Sequence, residues 1–551
     1  MNRRAFRLSS CLVLAATAIP GLSAAPTIAA VTNGASNIAF NSPLAQGAIF
    51  LVYGSGLGPA NIAFAPAAFE STSLSGTSVA VTVGMTTVNA LMLYTSANQV
   101  AALLPSNTPT GTATFTVTYN SQPSNALVQN VVASNVGIFS IDTRGSGPGI
   151  VMYPDYSLVS ASKTNACGGP STPCGAANPG DTLILWATGM GPVTGNELSG
   201  AGLGQNMPNV PLTLWLGGVQ APVVYQGRSG CCIGEDQIVF KVPNNVPTGC
   251  AVPLVVQIGT ATNTISNTTV MPVANGSRNC TPSNVALASV DVEQAVTAGP
   301  VTYSEISLIK NLDSSGSGYQ DQAKFQFTRI LTYNPGTQPF FVSWIDDQPV
   351  GTCIVLNSLY TDTNSPIAST ADLDGGSSFT VKGPNGSVPV TGPPGQFKAT
   401  LSAAGTFLGP GAYTVTGAGG KDVGKFNATA TFPALPTLAS PLYSSSLAVT
   451  RASGMTVTWA GGGPTGNVEI LVQSATDDTY STGVTAQCIA PASAGTFTLP
   501  PYVLLALPAG NFGSFTFVSG FAEFPFTATG LSIGSLNTYV NGTSFSGFAL
   551  K

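Results

Sequence analysis

Residues 99–117 read QVAALLPSNTPTGTATFTV, and residues 237–256 read QIVFKVPNNVPTGCAVPLVV. Each phrase opens on a Gln, alternates apolar positions, breaks at a Pro, runs three residues to Pro-Thr-Gly and resumes the alternation. Alternation with a period of two is the signature of a half-buried strand. Pro105 and Pro243 lack the N–H needed to continue a ladder, and Pro-Thr-Gly suits a tight turn with Pro at its second position and Gly at its fourth. Strand, turn, strand is therefore written twice.

The repeat extends upstream. Residues 47–59, GAIFLVYGSGLGP, align without gaps on residues 180–192, GDTLILWATGMGP. Each unit holds an apolar run, a Gly-rich turn, a Val/Leu/Thr strand and the Gln-led phrase, in that order. The two are expected to be duplicated antiparallel sandwiches that superpose through the turns at Gly56 and Gly189.

Composition agrees with an all-β chain. Of 551 residues only 7% are charged, while 63 Gly and 41 Pro punctuate the whole length. An amphipathic helix usually shows Lys, Glu and Arg to water, whereas hydroxyl- and amide-rich surfaces suit strands and turns. A net charge of −5, with 17 Lys plus Arg unclustered beyond the first residues, offers no footprint for a phosphate backbone and argues against nucleic acid. No His occurs anywhere. Its absence removes Ser-His-Asp and Cys-His catalysis, every His-ligated metal site and the usual base near neutral pH.

The start, MNRRAFRLSSCLVLAATAIPGLSAAPTIAA, has Arg3, Arg4 and Arg7, an apolar run to Leu22 and small residues beyond, which reads as a secretory signal over residues 1–29. Cys11 precedes the apolar run, the wrong order for lipid attachment. No later window is apolar for 18 residues, so no membrane span is read in the mature chain, which is expected outside the cytoplasm or at the cell surface.

Eight cysteines remain after the signal: Cys167, Cys174, Cys231, Cys232, Cys250, Cys280, Cys353 and Cys488. An even number in an exported chain favours disulfides, and no C-x-x-C pair supports zinc. Cys167 and Cys174 would close a short Gly/Pro loop. Cys231, Cys232, Cys250 and Cys280 would make two bridges of open connectivity, which leaves Cys353 for Cys488.

The runs VYGSGLGPA and QVAALLPSNTPTGTATFTVTYNSQPSN, with their copies WATGMGPVTG and QIVFKVPNNVPTGCAVPLVVQIGTATNTISN, resemble the IPT/TIG group of immunoglobulin-like domains, and a tandem module of that type found in secreted acidobacterial proteins. The resemblance covers residues 31–275. It implies β-sandwich folds and an extracellular setting, and it carries no catalytic residues to transfer.

Residues 30–134 and 135–280 are thus read as two such domains. The remainder stays β: KFQFTRILTY, FFVSWI, SSFTV, AYTVTG, KFNATATF, MTVTWAGG and NVEILVQ are strand-like, separated by GPNGS, GPPGQ and GAGG. The Pro-rich FPALPTLASP predicts a β-rich domain over 281–436 and a sandwich over 437–551.

Several constellations resemble chemistry. Gly54, Gly56 and Gly58 lack the helix that a phosphate loop must open, and read as a turn. Ser160 with Lys163, and Ser307 with Lys310, match S-x-x-K without its helical scaffold. Asp346 and Asp347, adjacent in a strand, point to opposite faces, and Asp372 and Asp374 lack the rest of a calcium loop. No cofactor motif is read. Among the tryptophans, Trp186, Trp344 and Trp459 sit on apolar runs, whereas Trp215 stands beside Thr213, off the face of Leu212, Leu214 and Leu216. It would serve either packing against a neighbouring domain or ligand stacking. The leading expectation is a non-catalytic protein for adhesion, scaffolding or glycan binding, with an extracellular polysaccharide or a surface protein as partner. The alternative is a glycan-active hydrolase using an Asp/Glu pair in residues 281–551, which needs two acids about 5–10 Å apart.

Overall fold

The computed structural model describes residues 25–38, 42–66, 71–141, 143, 145–161, 174–197, 203–259, 265–283, 300–312, 318–330, 347–357, 370–442, 444, 447–476 and 483–551. Residues 1–24 of the expected signal, Cys167, Lys163, Trp344 and Asp346 fall outside these residues, whereas Thr27–Ala29, the end of the expected signal, lie in a strand that runs on to Asn33. No helix among them is long and apolar enough to cross a membrane.

The first sandwich contains β1 (Thr27–Asn33), β2 (Leu44–Ala45), β3 (Ile49–Ser55), β4 (Thr77–Val83), β5 (Thr86–Asn89), β6 (Leu91–Thr95), β7 (Gln99–Leu103), β8 (Gly111–Tyr119) and β9 (Leu127–Val132). One sheet runs β1-β3-β7-β6 and the other β2-β9-β8-β4, with β5 on β4. All these pairs are antiparallel except β2 with β9, which run parallel. Phe50, Val52, Val79, Val81, Phe115 and Val117 fill the core from alternate positions of both sheets. This is the strand order of an immunoglobulin-like sandwich.

The second sandwich repeats it with β10 (Gly137–Ile138), β11 (Thr182–Thr188), β12 (Leu212–Leu216), β13 (Val219–Ala221), β14 (Val223–Arg228), β15 (Asp236–Lys241), β16 (Gly249–Ile258) and β17 (Thr269–Val273). Its sheets run β10-β11-β15-β14 and β13-β12-β16-β17, and a parallel bridge from Ala177 to Val273 stands where β2 meets β9. Strand β11 coincides with the aligned copy of β3, and Gly56 and Gly189 both carry positive φ, 65° and 103°. Positive φ suits Gly because it has no Cβ.

The two sandwiches are joined by polar side chains. Asn33 Oδ1 accepts from the N–H groups of Ala35 and Ser36, while Nδ2 donates to the carbonyls of Asn135 and Thr188. Thr188 Oγ1 accepts from Ile49 N at 2.9 Å and donates to Gly234 O at 2.6 Å. Beside them Ile49, Leu91 and Leu103 bury against Phe139 and Ile233.

The rest of the chain is organised by β18 (Thr302–Leu312), β19 (Tyr319–Ile330), β20 (Cys353–Asn357), β21 (Ser378–Gly383), β22 (Gly386–Thr391), β23 (Gln396–Ser402), β24 (Gly411–Gly417), β25 (Phe426–Phe432), β26 (Thr437–Ser440), β27 (Met455–Ala460), β28 (Asn467–Ala475), β29 (Val484–Pro491), β30 (Thr496–Leu499), helix α1 (Pro501–Leu505), β31 (Gly510–Pro525) and β32 (Ile533–Leu550). A ten-stranded sheet runs β20-β29-β28-β31-β32-β18-β19 and continues at its edges. Two smaller sheets cover one of its faces, β22-β21-β24-β25 at one end and β26-β27-β30 at the other.

The division expected at residue 436 does not separate the two cores. Phe526, Leu536 and Val540 complete the core built from β18, β19 and β21–β25, whereas Cys353 and Val355 belong to the core of β26–β30. The physical reason is strand length: β31 and β32, of 16 and 18 residues, cross both sandwiches paired with one another, with bulges along the way.

Candidate ligand-binding site

The sequence candidates divide by what surrounds them. Gly54 lies in β3 where a Cβ would stand 1.9 Å from Thr27 O, so the Gly-rich run is a close strand approach followed by a turn, and no helix follows it. Ser307 and Lys310 sit three apart on β18 and so face opposite ways. Lys310 Nζ pairs with Asp321 at 3.0 Å and donates to the carbonyls of Gly405 and Leu408, while Asp321 Oδ2 accepts from Phe407 N and Leu408 N. That buried pair clamps a loop. Asp374 Oδ1 caps Gly376 N at 2.9 Å in a turn, Asp372 accepts from Gln396, and buried Asp347 accepts from Ser283 N at 2.7 Å.

Trp215 is occupied. Its ring stacks on Tyr502 of α1, centroids 4.8 Å apart and planes 13° from parallel, and its Nε1 donates to Gln257 Oε1 at 3.1 Å. Of the two uses open to it, packing against another sandwich is what the geometry contains on one face of the ring, and the residue as a whole is half-buried. Trp459 is buried, with Nε1 donating to Ala492 O, and Trp186 is buried too.

The bridges are Cys231–Cys232, Cys250–Cys280 and Cys353–Cys488. Cys174 is disulfide-bonded as well. Glu235 stands close to Cys231 and Cys232, but their mutual bond leaves no thiolate to hold a metal.

The feature that sequence reasoning missed is a notch in the ten-stranded sheet. Strand β31 pairs with β28 only as far as Phe521, and beyond it with β32 alone, so its next residues form an edge. Gly520, at φ 67°, and the register break between Ser519 and Ala522 turn the strand aside at that point. A cavity of about 430 Å³ opens there, lined by Gln348, Thr465, Asn467, Ile489 and the stretch Phe521–Phe524, with Pro433 of the inter-sheet segment. Gln348 is 1% exposed, and its Nε2 has no hydrogen-bond partner among the described residues. The Gly in VSGFAEF is the one local signal of the bulge; the cavity itself depends on strands far apart in sequence.

Carboxyls gather on the sheet beside the notch. Glu469 follows Asn467 on the same face of β28 and stands opposite Ile489 and Val518. Burial pushes its carboxyl from an ordinary 4.5 up to about 7. Glu523 stands opposite Asn537 on β32. Tyr539, pushed up to about 12 chiefly by burial, also feels Glu305 and Glu469.

Strand order and inter-sandwich contacts define an all-β protein of tandem immunoglobulin-like sandwiches. No family model matches the chain, and no curated protein does. Solved structures similar to it include the S-layer protein SbsC, domains 5–6 (13% identity, 46% of this chain and 100% of that one, TM-score 0.15), and the chicken CNTN1 FN1–FN3 domains (10% identity, 66% and 94%, TM-score 0.15). SGBP-B from a complex xyloglucan utilization locus in Bacteroides uniformis is similar at 10% identity over 95% of this chain and 98% of that one, with a TM-score of 0.15. Identity and TM-score are too low to carry a function from any of them to this chain.

Proposed function

We propose that the chain is an extracytoplasmic, non-catalytic surface protein, a stiff scaffold of sandwiches that displays a glycan-binding site, and that residues 31–275 form its IPT/TIG-type module of the acidobacterial kind. What supports this reading is that successive sandwiches are fastened to one another: Asn33 and Thr188 tie the first to the second, Trp215 on Tyr502 ties the second to the last, and β31–β32 run through the last two. Such fastening suits a part that must hold a fixed geometry; enzymes that close on a substrate need a hinge. The exported chain on a glycan array, with each hit assayed for hydrolysis, tests the reading. Retention of a polysaccharide without new reducing ends is the expected result; new reducing ends, or recovery of the protein in the cytoplasmic fraction, would overturn it.

One observation favours a second reading, a glycan-active hydrolase. Glu469, with its carboxyl near 7, is suited to proton donation at neutral pH, and Glu523 lines the adjacent cavity. On that reading Glu469→Gln abolishes hydrolysis and spares binding.

A further inference from the structure

We propose that the notch between β28 and the free edge of β31 is the glycan site, and that its ligand is a neutral oligosaccharide. The inference rests on the glycan-binding reading above and names the place and the ligand class. Three features converge on it. The cavity, about 430 Å³, lies within the roughly 300–1,000 Å³ of small-molecule sites. Its walls bring half-buried Phe521 together with the polar residues Gln348, Thr465 and Asn467, while Phe524 packs toward the neighbouring core. A sugar ring presents the matching surfaces, an apolar C–H face for an aromatic ring and a rim of hydroxyls for amides.

The third feature is Gln348 itself. A buried amide whose N–H groups find no partner among the described residues costs free energy unless a guest accepts from it, and a sugar hydroxyl is such an acceptor. Charge narrows the class. Among the described residues lining the cavity Glu523 is the one ionisable side chain, and none of them is a Lys or Arg that would meet a uronate, sulfate or phosphate. A carboxylate repels those groups but accepts readily from neutral hydroxyls.

The test uses the full exported chain on an array of neutral β-glucan, xylan, mannan and chitin fragments beside uronate and sulfated ones, followed by calorimetric titration of the best hit. Three variants are compared: Gln348→Met, Asn467→Ala, and Thr87→Ala, which lines the separate groove between the first two sandwiches. The expected result is a neutral ligand whose Kd rises about tenfold or more in the first two variants and is unchanged in the third. Gln348→Met should also melt at or above the wild-type temperature, because the same-shaped apolar chain removes the unpaired amide N–H groups, while Thr352, which donates to the Gln348 side-chain carbonyl, keeps Pro349 O as an acceptor. Should Gln348→Met fail to fold, Asn467→Ala decides alone. Undiminished neutral binding in Asn467→Ala, or preference for an anionic glycan, overturns the site and leaves the glycan-binding reading standing. An array without hits overturns both.

Discussion

At Glu469 burial should be visible as a pH effect. The folded chain holds this proton up to about pH 7, whereas the unfolded chain releases it near 4.5, so between those values the folded state binds more protons. Stability must then fall as pH rises through that window, by about 3 kcal/mol, and be unaffected by this group below it. Glu469→Gln should therefore raise the melting temperature at pH 8 and leave it unchanged at pH 4. Equal shifts at both values would show that the carboxyl is not the cause. Arg228 and Asp236 make the converse case. Their 2.7 Å pair is fully buried, with Arg228 also donating to Gly191 O and Asp236 accepting from Met190 N. Arg228→Met strands a buried carboxylate and should cost about 3–5 kcal/mol in urea unfolding, most of it recovered when Asp236→Leu is added. A double variant no better than the single would refute that account. None of this was legible in the sequence, since GRSGCCIGED gives no sign that its Arg and Asp turn inward.

Among the elements, β12 shows how far a strand pattern can be read. Alternation placed Leu214 and Leu216 inward and Trp215 away from them, and that is their arrangement. What covers Trp215 was hidden, because Tyr502 lies in a five-residue helix with nearly 290 residues between. Trp215→Ala should lower stability by about 3 kcal/mol, read as a drop in thermal midpoint, and leave glycan affinity as it was. A loss of affinity with an unchanged midpoint would return Trp215 to the ligand. The duplicated phrase was legible for a different reason. Pro-Thr-Gly and its flanking alternation encode strand, turn and strand locally, so the same residues cross from one sheet to the other twice, at β7–β8 and at β15–β16. The notch had no such local code, since β28, β29 and β31 meet only through long-range register.

On the scale of the whole molecule, Cys353 and Cys488 stand directly opposite one another on β20 and β29, Cα atoms 4.1 Å apart and 135 residues apart in sequence. Closing so long a loop is worth roughly 5 kcal/mol in the chain-entropy model. Replacing both by Ala should lower the denaturant midpoint of the C-terminal half accordingly, with the two sandwiches still unfolding in one transition because they share β31 and β32. Two separated transitions would show that the shared ladder does not couple them. The Pro-rich stretch at 433–441 was read as a boundary because loops and linkers favour that composition; it is a crossing inside a larger unit, and only the pairing of distant strands reveals that.

The same ladder sets the timing of maturation. A chain synthesised from its N-terminus can close the first two sandwiches as soon as residue 273 is clear, since every strand named for each is then present. The last two must wait. Their shared strand β32 spans Ile533–Leu550, so both cores stay open until those residues have been made as well. A chain cut short after Ser532 would therefore carry two finished sandwiches and two exposed, protease-sensitive halves, and the cell could discard an incomplete copy by its open cores alone.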